Sequence, residues 1–225
     1  KILDKINLIE LKAFKKGLFE VQDLASQCLV AACDVQSGES WWDVCAGAGG
    51  KTLAIADRLQ GRGKVSATDK RKHILQEVKK RAQRGGFRSV QIGQLNKIKN
   101  SDERFDGVLV DAPCSCTGTW RRNPDARWKS NENICKEWSV VQLEILSEAS
   151  TKVKPGGKLV YATCSVSSME NETVVNLFLE QFKEFELVPF VHPLSAKETN
   201  GMMWIDPLPE DCDSMFAARM IRKKK

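Results

Sequence analysis

Short apolar runs of strand type alternate with segments of helical periodicity along most of this chain, and three of the runs break off in polar turns. The first, Trp41-Trp42-Asp43-Val44-Cys45, enters the glycine-rich loop Ala46-Gly47-Ala48-Gly49-Gly50-Lys51. The second is Val108-Leu109-Val110 followed by Asp111-Ala112-Pro113-Cys114-Ser115, and the third is Lys158-Leu159-Val160-Tyr161-Ala162 followed by Thr163-Cys164-Ser165. Alternating strands and helices form βαβ units, which build a mainly parallel sheet. In such a sheet the strand ends meet at one carboxyl edge, where ligands bind. The pattern therefore confines the chain to an α/β fold with a three-turn site. Two thiols beside a glycine loop point to covalent chemistry assisted by a cofactor.

The elements follow from periodicity. Val21, Leu24, Ala25, Cys28, Leu29 and Ala32 share one helical face within 18–35, with Asp23 or Ser26 as cap candidates. Strands are expected at 40–45, 64–68, 89–92, 105–110 and 158–162, with helices at 50–59, 72–84 and 134–153. Pro155-Gly156-Gly157 should end the last of these helices. Ser167 should open another, with Glu170 as its capping-box partner. Two final strands, around 186–191 and 215–221, complete an expected sheet of seven strands, one of them antiparallel.

The chain has 225 residues, 42% of them hydrophobic, enough for one large domain with a buried core. It contains no long uncharged apolar run, so no membrane partner is expected. The chain opens on Lys1-Ile2-Leu3-Asp4 without Met, which predicts that an upstream region is missing. Residues 1–16 are then a lead-in and 17–225 the catalytic domain. Eight cysteines in a lysine-rich chain that is not loop-dominated read as reduced cytoplasmic thiols rather than as a disulfide framework. Zinc is not expected, because Cys114-Ser115-Cys116 lacks finger spacing and His73 and His192 lie far from it. A formal charge of +6 permits nucleic-acid binding without requiring it. A monomer is the expected state.

The loop from Cys45 to Thr52 admits three readings. A dinucleotide fingerprint fails at its third glycine, where Thr52 stands. A P-loop matches at Gly50-Lys51-Thr52 but has Cys45 in place of its first glycine, and Val108–Asp111 could pass for its partner strand. An S-adenosylmethionine loop needs glycines where the backbone approaches the ligand at a helix N-terminus. That reading uses Asp69 as well: it ends the second strand, 22 residues after Gly47, where a carboxylate can bind a ribose diol or, more blandly, cap the next helix.

With these residues assembled, the chain resembles the Sun/Fmu family of S-adenosylmethionine-dependent RNA cytosine-C5 methyltransferases. The resemblance runs from about Gly17 to Arg222. It rests on Phe19–Ser26, the Cys45–Thr52 loop, Asp111-Ala112-Pro113-Cys114-Ser115, Arg121-Arg122-Asn123-Pro124-Asp125, Thr163-Cys164-Ser165 and the tail Asp213–Ala218. It implies a Rossmann-like class I methyltransferase fold with helices on both faces of the sheet. It further implies Cys164 as nucleophile, Cys114 as the residue assisting release, and Asp111 lying against both cytosine and cofactor. The cofactor contacts it implies are Cys45, Ala46, Gly47, Ala48, Gly49, Gly50, Lys51, Asp69 and Asp111, with Lys51 a source of charge that would depress a thiol pKa. Two departures stand out. Gly47-Ala48 replaces the family's Ala-Pro, and Gln94 occupies the position of an expected acidic residue on the adenine.

A cytidine is reached only when unpaired or flipped. Trp120, Arg121, Arg122 and Arg127, with Trp128, lie in the loop after Cys114 and are the expected RNA contacts. The expected substrate is 16S ribosomal RNA. The alternatives are tRNA methylation, a P-loop-like NTPase, or a non-catalytic RNA-binding assembly factor.

Overall fold

The computed structural model describes residues 7–129 and 131–224. After a single turn, Lys12–Lys15 (α1), the helix Leu24–Ala32 (α2) starts where the Asp23 carboxylate accepts from the Ala25 N–H. It is shorter than the expected 18–35 because the preceding residues are held elsewhere: Glu20 pairs with Arg81 and Arg84, and Phe19 lies against Phe14. Strand Ser40–Asp43 (β1) leads through the glycine loop into Gly50–Arg58 (α3). Lys64–Ala67 (β2), Leu75–Arg84 (α4) and Val90–Ile92 (β3) follow. A short helix not foreseen from periodicity, Leu95–Lys99 (α5), precedes Phe105–Asp111 (β4). The polar loop after β4 contains one turn, Ala126–Lys129 (α6), before the long helix Glu132–Ser150 (α7), capped by Asn131. Val153–Thr163 (β5), Glu172–Gln181 (α8), Phe185–Leu187 (β6), Met202–Ile205 (β7), Pro207–Glu210 (α9) and Met215–Arg222 (β8) complete the described chain.

The described strands form one sheet of eight in the order β3-β2-β1-β4-β5-β8-β6, with β7 also paired to β8. The five strands from β3 to β5 are parallel, and β8 runs antiparallel to β5, β6 and β7. The expected seven strands become eight because β6 and β7 divide β8 between them, Leu187 pairing with Met220 and Met202 with Ala218. Pro155-Gly156-Gly157 does not end a helix. It lies inside β5, where Phe105 pairs with Val153 and Gly107 with Lys158, so Lys154 to Gly157 bulge opposite Asp106. That tripeptide suits a bulge because it gives up regular ladder bonds.

Adjacent residues of a strand face opposite sides, and the tandem tryptophans of β1 show both sides covered. Trp41 is buried with Leu29 of α2 and Ile55 of α3, whereas Trp42 is buried with Leu146 of α7 and Phe178 of α8. Gly107 of β4 makes room for the Trp41 ring, which a Cβ there would approach to 2.3 Å. With β1, β2, β4 and β5 parallel, Asp43, Asp69, Asp111 and Cys164 collect at one carboxyl edge.

Candidate active site

The glycine loop is fixed by its backbone. Ala46 N–H donates to the Thr68 carbonyl at 2.8 Å, and Gly49 N–H closes the turn onto the Ala46 carbonyl at 2.9 Å. Gly49 takes φ +88° as it enters α3, and a Cβ there would come within 2.9 Å of Val78. Gly47, at φ +52°, borders open space. The loop is thus closed against α4 and leaves room beside Gly47.

Asp69 clamps the glycine loop and closes a turn onto Arg71, and it caps neither of the helical segments that follow. One carboxylate oxygen accepts from Gly47 N–H at 2.9 Å; the other accepts from the Arg71 backbone at 2.8 Å and from its guanidinium at 3.1 Å. Burial raises its pKa, but Arg71 and the two backbone donors outweigh burial and hold it below the ordinary value. Gln94 is exposed at the N-cap of α5 and makes no capping bond.

Sequence reasoning missed Asp43. It ends β1 fully buried, and one oxygen accepts from the Thr52 hydroxyl at 2.6 Å. The other is buried with no hydrogen-bond partner among the described residues. Burial pushes its carboxyl up to about 7, against the Thr52 bond and with the help of Asp111. An orphaned acceptor beside an open glycine loop, with Asp69 and Asp111 on the same edge, fits a ligand with a cationic amine, a sulfonium and a ribose diol. S-adenosylmethionine has all three. The local pattern Asp43-x-x-x-Gly47-x-Gly49 was the signal available in the sequence.

The two cysteine turns are bound into one unit. Cys114 and Cys164 lie at the ends of neighbouring strands β4 and β5, with their sulfurs 3.4 Å apart. Beneath them Glu170 is fully buried. One of its oxygens accepts from Ser115 N–H at 2.9 Å and Gln142 Nε2 at 3.0 Å; the other accepts from the Ser115 and Ser165 hydroxyls at 2.5 Å each. Glu170 is therefore not the partner of a capping box, and Ser167 makes no side-chain cap. Gly118 ties the same turns to the tail: its N–H donates to the Cys164 carbonyl at 2.8 Å and its carbonyl accepts from Ser214 N–H at 2.9 Å. A Cβ at Gly118 would stand 2.5 Å from the Ser214 carbonyl oxygen.

Cys116 joins the pair. It holds a left-handed φ of +58°, a conformation that costs a non-glycine residue on the order of 1–3 kcal/mol and needs surrounding support. Its sulfur lies with those of Cys114 and Cys164 in a group in which all three are within 4.8 Å of one another. Hydrogen bonds from the other two thiols hold Cys116 low, with Arg122 adding positive charge. Cys164 is lowered by its bond with Cys114 and raised more by Cys116 and burial, to about 12. Any depression of Cys164 by Lys51 is outweighed by Cys116 and burial. The Lys51 ammonium is committed to Asp111, at 2.7 Å.

The basic loop is partly neutralised. Arg122 pairs with Asp213 at 2.5 Å, and Arg121 reaches Asp23 at 3.4 Å and Asp211 and Asp213 at 3.7 Å. Arg127 lies over the rings of Trp120 and Trp128, at 5.7 and 6.0 Å, and both rings are exposed.

Among the described residues no helix is long and apolar enough to cross a membrane. Residues 30–221 match the family described as 16S rRNA methyltransferase RsmB/F. Ribosomal RNA small subunit methyltransferase B of Yersinia pseudotuberculosis is 36% identical over 216 residues, 95% of this chain and 49% of that protein. The crystal structure of PH0851 covers 99% of this chain and 50% of its own, with 34% identity and a TM-score of 0.89. NSun6 from Pyrococcus horikoshii, solved with SFG, is 27% identical with a TM-score of 0.84, over 98% of this chain and 57% of its own. The chain spans about half the length of the curated relatives it matches.

Proposed function

The chain belongs to the 16S rRNA methyltransferase RsmB/F family, and from that premise we propose that it transfers a methyl group to C5 of a cytidine in small-subunit ribosomal RNA, through a cysteine adduct at C6, in the cytoplasm. Residues 17–225 form the catalytic domain in this reading. The observation that carries it is the pair of thiols 3.4 Å apart at adjacent strand ends, beside a glycine loop with an orphaned carboxylate.

The cofactor is S-adenosylmethionine, which supplies the electrophilic methyl group that C5 takes. The loop from Cys45 to Lys51 offers it backbone contacts, Asp43 an acceptor for its amine, and Asp69 an acceptor for its ribose. Gln94 offers an amide where a carboxylate would be stronger. C5 of cytosine is a poor nucleophile. A Cys164 thiolate adding to C6 forms the S–C bond and moves the ring electrons onto C5. After methylation, a base takes the C5 proton, the C5–C6 double bond returns, and the C6–S bond breaks to release the thiolate. Cys164 is half-buried and Cys114 is buried, which favours Cys164 for contact with the ring. Cys114, next to it, assists release. Asp111, fixed by Lys51, stabilises the activated ring.

Denaturing gels of the protein with 16S rRNA test the division of labour. Cys164→Ala should abolish both turnover and any covalent complex, whereas Cys114→Ala should accumulate a denaturant-resistant complex. A complex trapped with Cys164→Ala and not with Cys114→Ala would reverse the assignment.

A further inference from the structure

Neither the fold nor the methyl-transfer reading gives Cys116 a task, yet the chain spends an unfavourable left-handed residue to hold its sulfur beside two others. The spacing Cys114-Ser115-Cys116 supplies only two ligands and resembles no finger; the third arrives from Cys164, 50 residues along the chain, through the pairing of β4 with β5. Bonds of about 2.3 Å from a metal ion to thiolates set the sulfurs roughly 3.8 Å apart. Cys114 and Cys164 stand 3.4 Å apart, and no sulfur of the three lies more than 4.8 Å from another. Only a small adjustment of side chains is needed to bring all three onto one ion.

The surroundings suit such an ion. Three thiolates on a divalent cation carry a net negative charge, and Arg122 acts on Cys116, and Lys51 with Cys164, as nearby positive charges. Cys114 and Cys116 open into a cleft of about 310 Å³ lined also by Asn123, Asp125 and Trp138, which gives an entry path. All-sulfur donor sets select soft cations over hard ones.

We propose that Cys114, Cys116 and Cys164 form a three-sulfur site for a thiophilic d10 cation, zinc being the ion of choice, and that its binding shuts the active centre. Cys114 and Cys164 release their protons to solvent as they bind, Cys116 being ionised already, and a fourth position is left for water. Binding itself stands on the three sulfurs alone. The shut-off rests on the methyltransferase reading, since it requires Cys164 to be the nucleophile.

The reduced chain titrated with Cd²⁺ should show a thiolate-to-metal absorbance band saturating at one ion per chain, and Zn²⁺, read separately by competition with a chromophoric chelator, should bind with the same stoichiometry. Cys116→Ser should weaken both ions by at least about tenfold, the lower end of what loss of even an outer-shell partner costs, and Cys164→Ala should do the same. In methyl-transfer assays equimolar Zn²⁺ should silence the parent, while Cys116→Ser, measured against its own metal-free rate, should resist the metal. Unchanged cadmium absorbance and affinity in Cys116→Ser, or no stoichiometric binding by the parent, would overturn the site. Cys116-dependent binding in a chain with no methyl transfer would uphold the site and remove the reading of function instead.

Discussion

The two ends of the active edge are built on opposite plans. At the cysteine end the buried carboxylate of Glu170 is complete: each oxygen accepts two donors, all from the chain itself. At the glycine-loop end the buried carboxylate of Asp43 has one oxygen satisfied by Thr52 and one with no partner among the described residues. Buried polar groups are nearly always paired, so an unpaired one marks a place where a ligand finishes the structure. The thiols are held by bonds from within the chain, whereas in the function proposed above the glycine-loop end is completed by the cofactor's cationic amine. Structural rigidity sits where covalent geometry matters, and stored electrostatic need sits where binding must be reversible.

The comparison breaks most severely at Glu170. Glu170→Ala strands the Ser115 N–H, at about 1–3 kcal/mol for an unpaired buried donor, and leaves a cavity. It also takes the shared acceptor from the Ser115 and Ser165 hydroxyls and the Gln142 amide, which keep their bonds to one another, to Thr117 and to the Pro113 carbonyl. Urea unfolding should show a loss of several kcal/mol. Glu170→Gln keeps the shape but presents an amide to a ring of donors, so it should recover part of the stability while turnover stays depressed, through kcat more than through the KM for RNA. If both variants matched the parent in stability and in kcat, Glu170 would be neither support nor positioning residue for the thiols.

Glu170 also shows where a sequence stops being legible. Ser167-Ser168-Met169-Glu170 has capping-box spacing, and only the fold reveals that the carboxylate turns inward to hydroxyls from Ser115, 55 residues away, and Ser165. The glycine loop and the two cysteine turns were legible because their geometry is local: glycines where φ is positive, and a polar turn directly after an apolar strand. The same limit hid the meeting of Cys116 with Cys164 and that of Arg121 with Asp23, 98 residues apart. It also hid β7, whose Met202-Met203-Trp204-Ile205 lacks the polar alternation that announces a half-exposed strand. Pro155-Gly156-Gly157 misled because a breaker of helices is also a maker of bulges.

The second break is at Asp43, and pH exposes it. Its folded pKa of about 7 lies above the ordinary 3.8, so the folded state binds a proton that the unfolded chain has released. The ionised group therefore subtracts from stability progressively as pH rises from about 4 to about 7, by up to several kcal/mol, and leaves it untouched below that window. Without cofactor, Asp43→Asn should gain thermal stability relative to the parent at about pH 8 and little at about pH 4. The parent's affinity for S-adenosylmethionine should rise as pH passes through 7, because the amine needs the carboxylate charged. The Asn variant should bind more weakly and without that rise. Identical pH profiles for the two proteins by calorimetry would show that Asp43 does not face the cofactor.

A smaller effect separates Asp69 from Asp43 at the same end. Asp69 is already bonded to Gly47 and Arg71, so it can share itself with a ribose but does not depend on one. Asp69→Ala should cost on the order of 1–3 kcal/mol of cofactor binding, the range for losing a charged partner, with part of the loss coming from a loosened Gly47. Unchanged donor affinity in that variant would count against its place in the pocket.

The smallest effects belong to the substrate loop, and they sharpen the comparison by extending it to RNA. Releasing counterions gives binding a salt slope of roughly 0.7 for each phosphate neutralised on a single strand. Arg127 presents its cation over two exposed tryptophan rings, so Arg127→Ala should flatten the slope by about that amount and weaken RNA binding. Arg121 and Arg122 already face the carboxylates of Asp23, Asp211 and Asp213. A phosphate must compete with these partners, so Arg121→Ala and Arg122→Ala should change the slope less than Arg127→Ala does. Arg121→Ala, whose contacts are the longer ones, should leave the protein's stability within about 1 kcal/mol, whereas Arg122→Ala takes the closest cation from the buried Asp213 carboxylate and should cost more. Slopes measured by filter binding across a salt titration decide the order. If Arg121→Ala and Arg122→Ala flattened the slope more than Arg127→Ala, the acidic cluster would be a latch that RNA opens rather than a permanent brace of the loop.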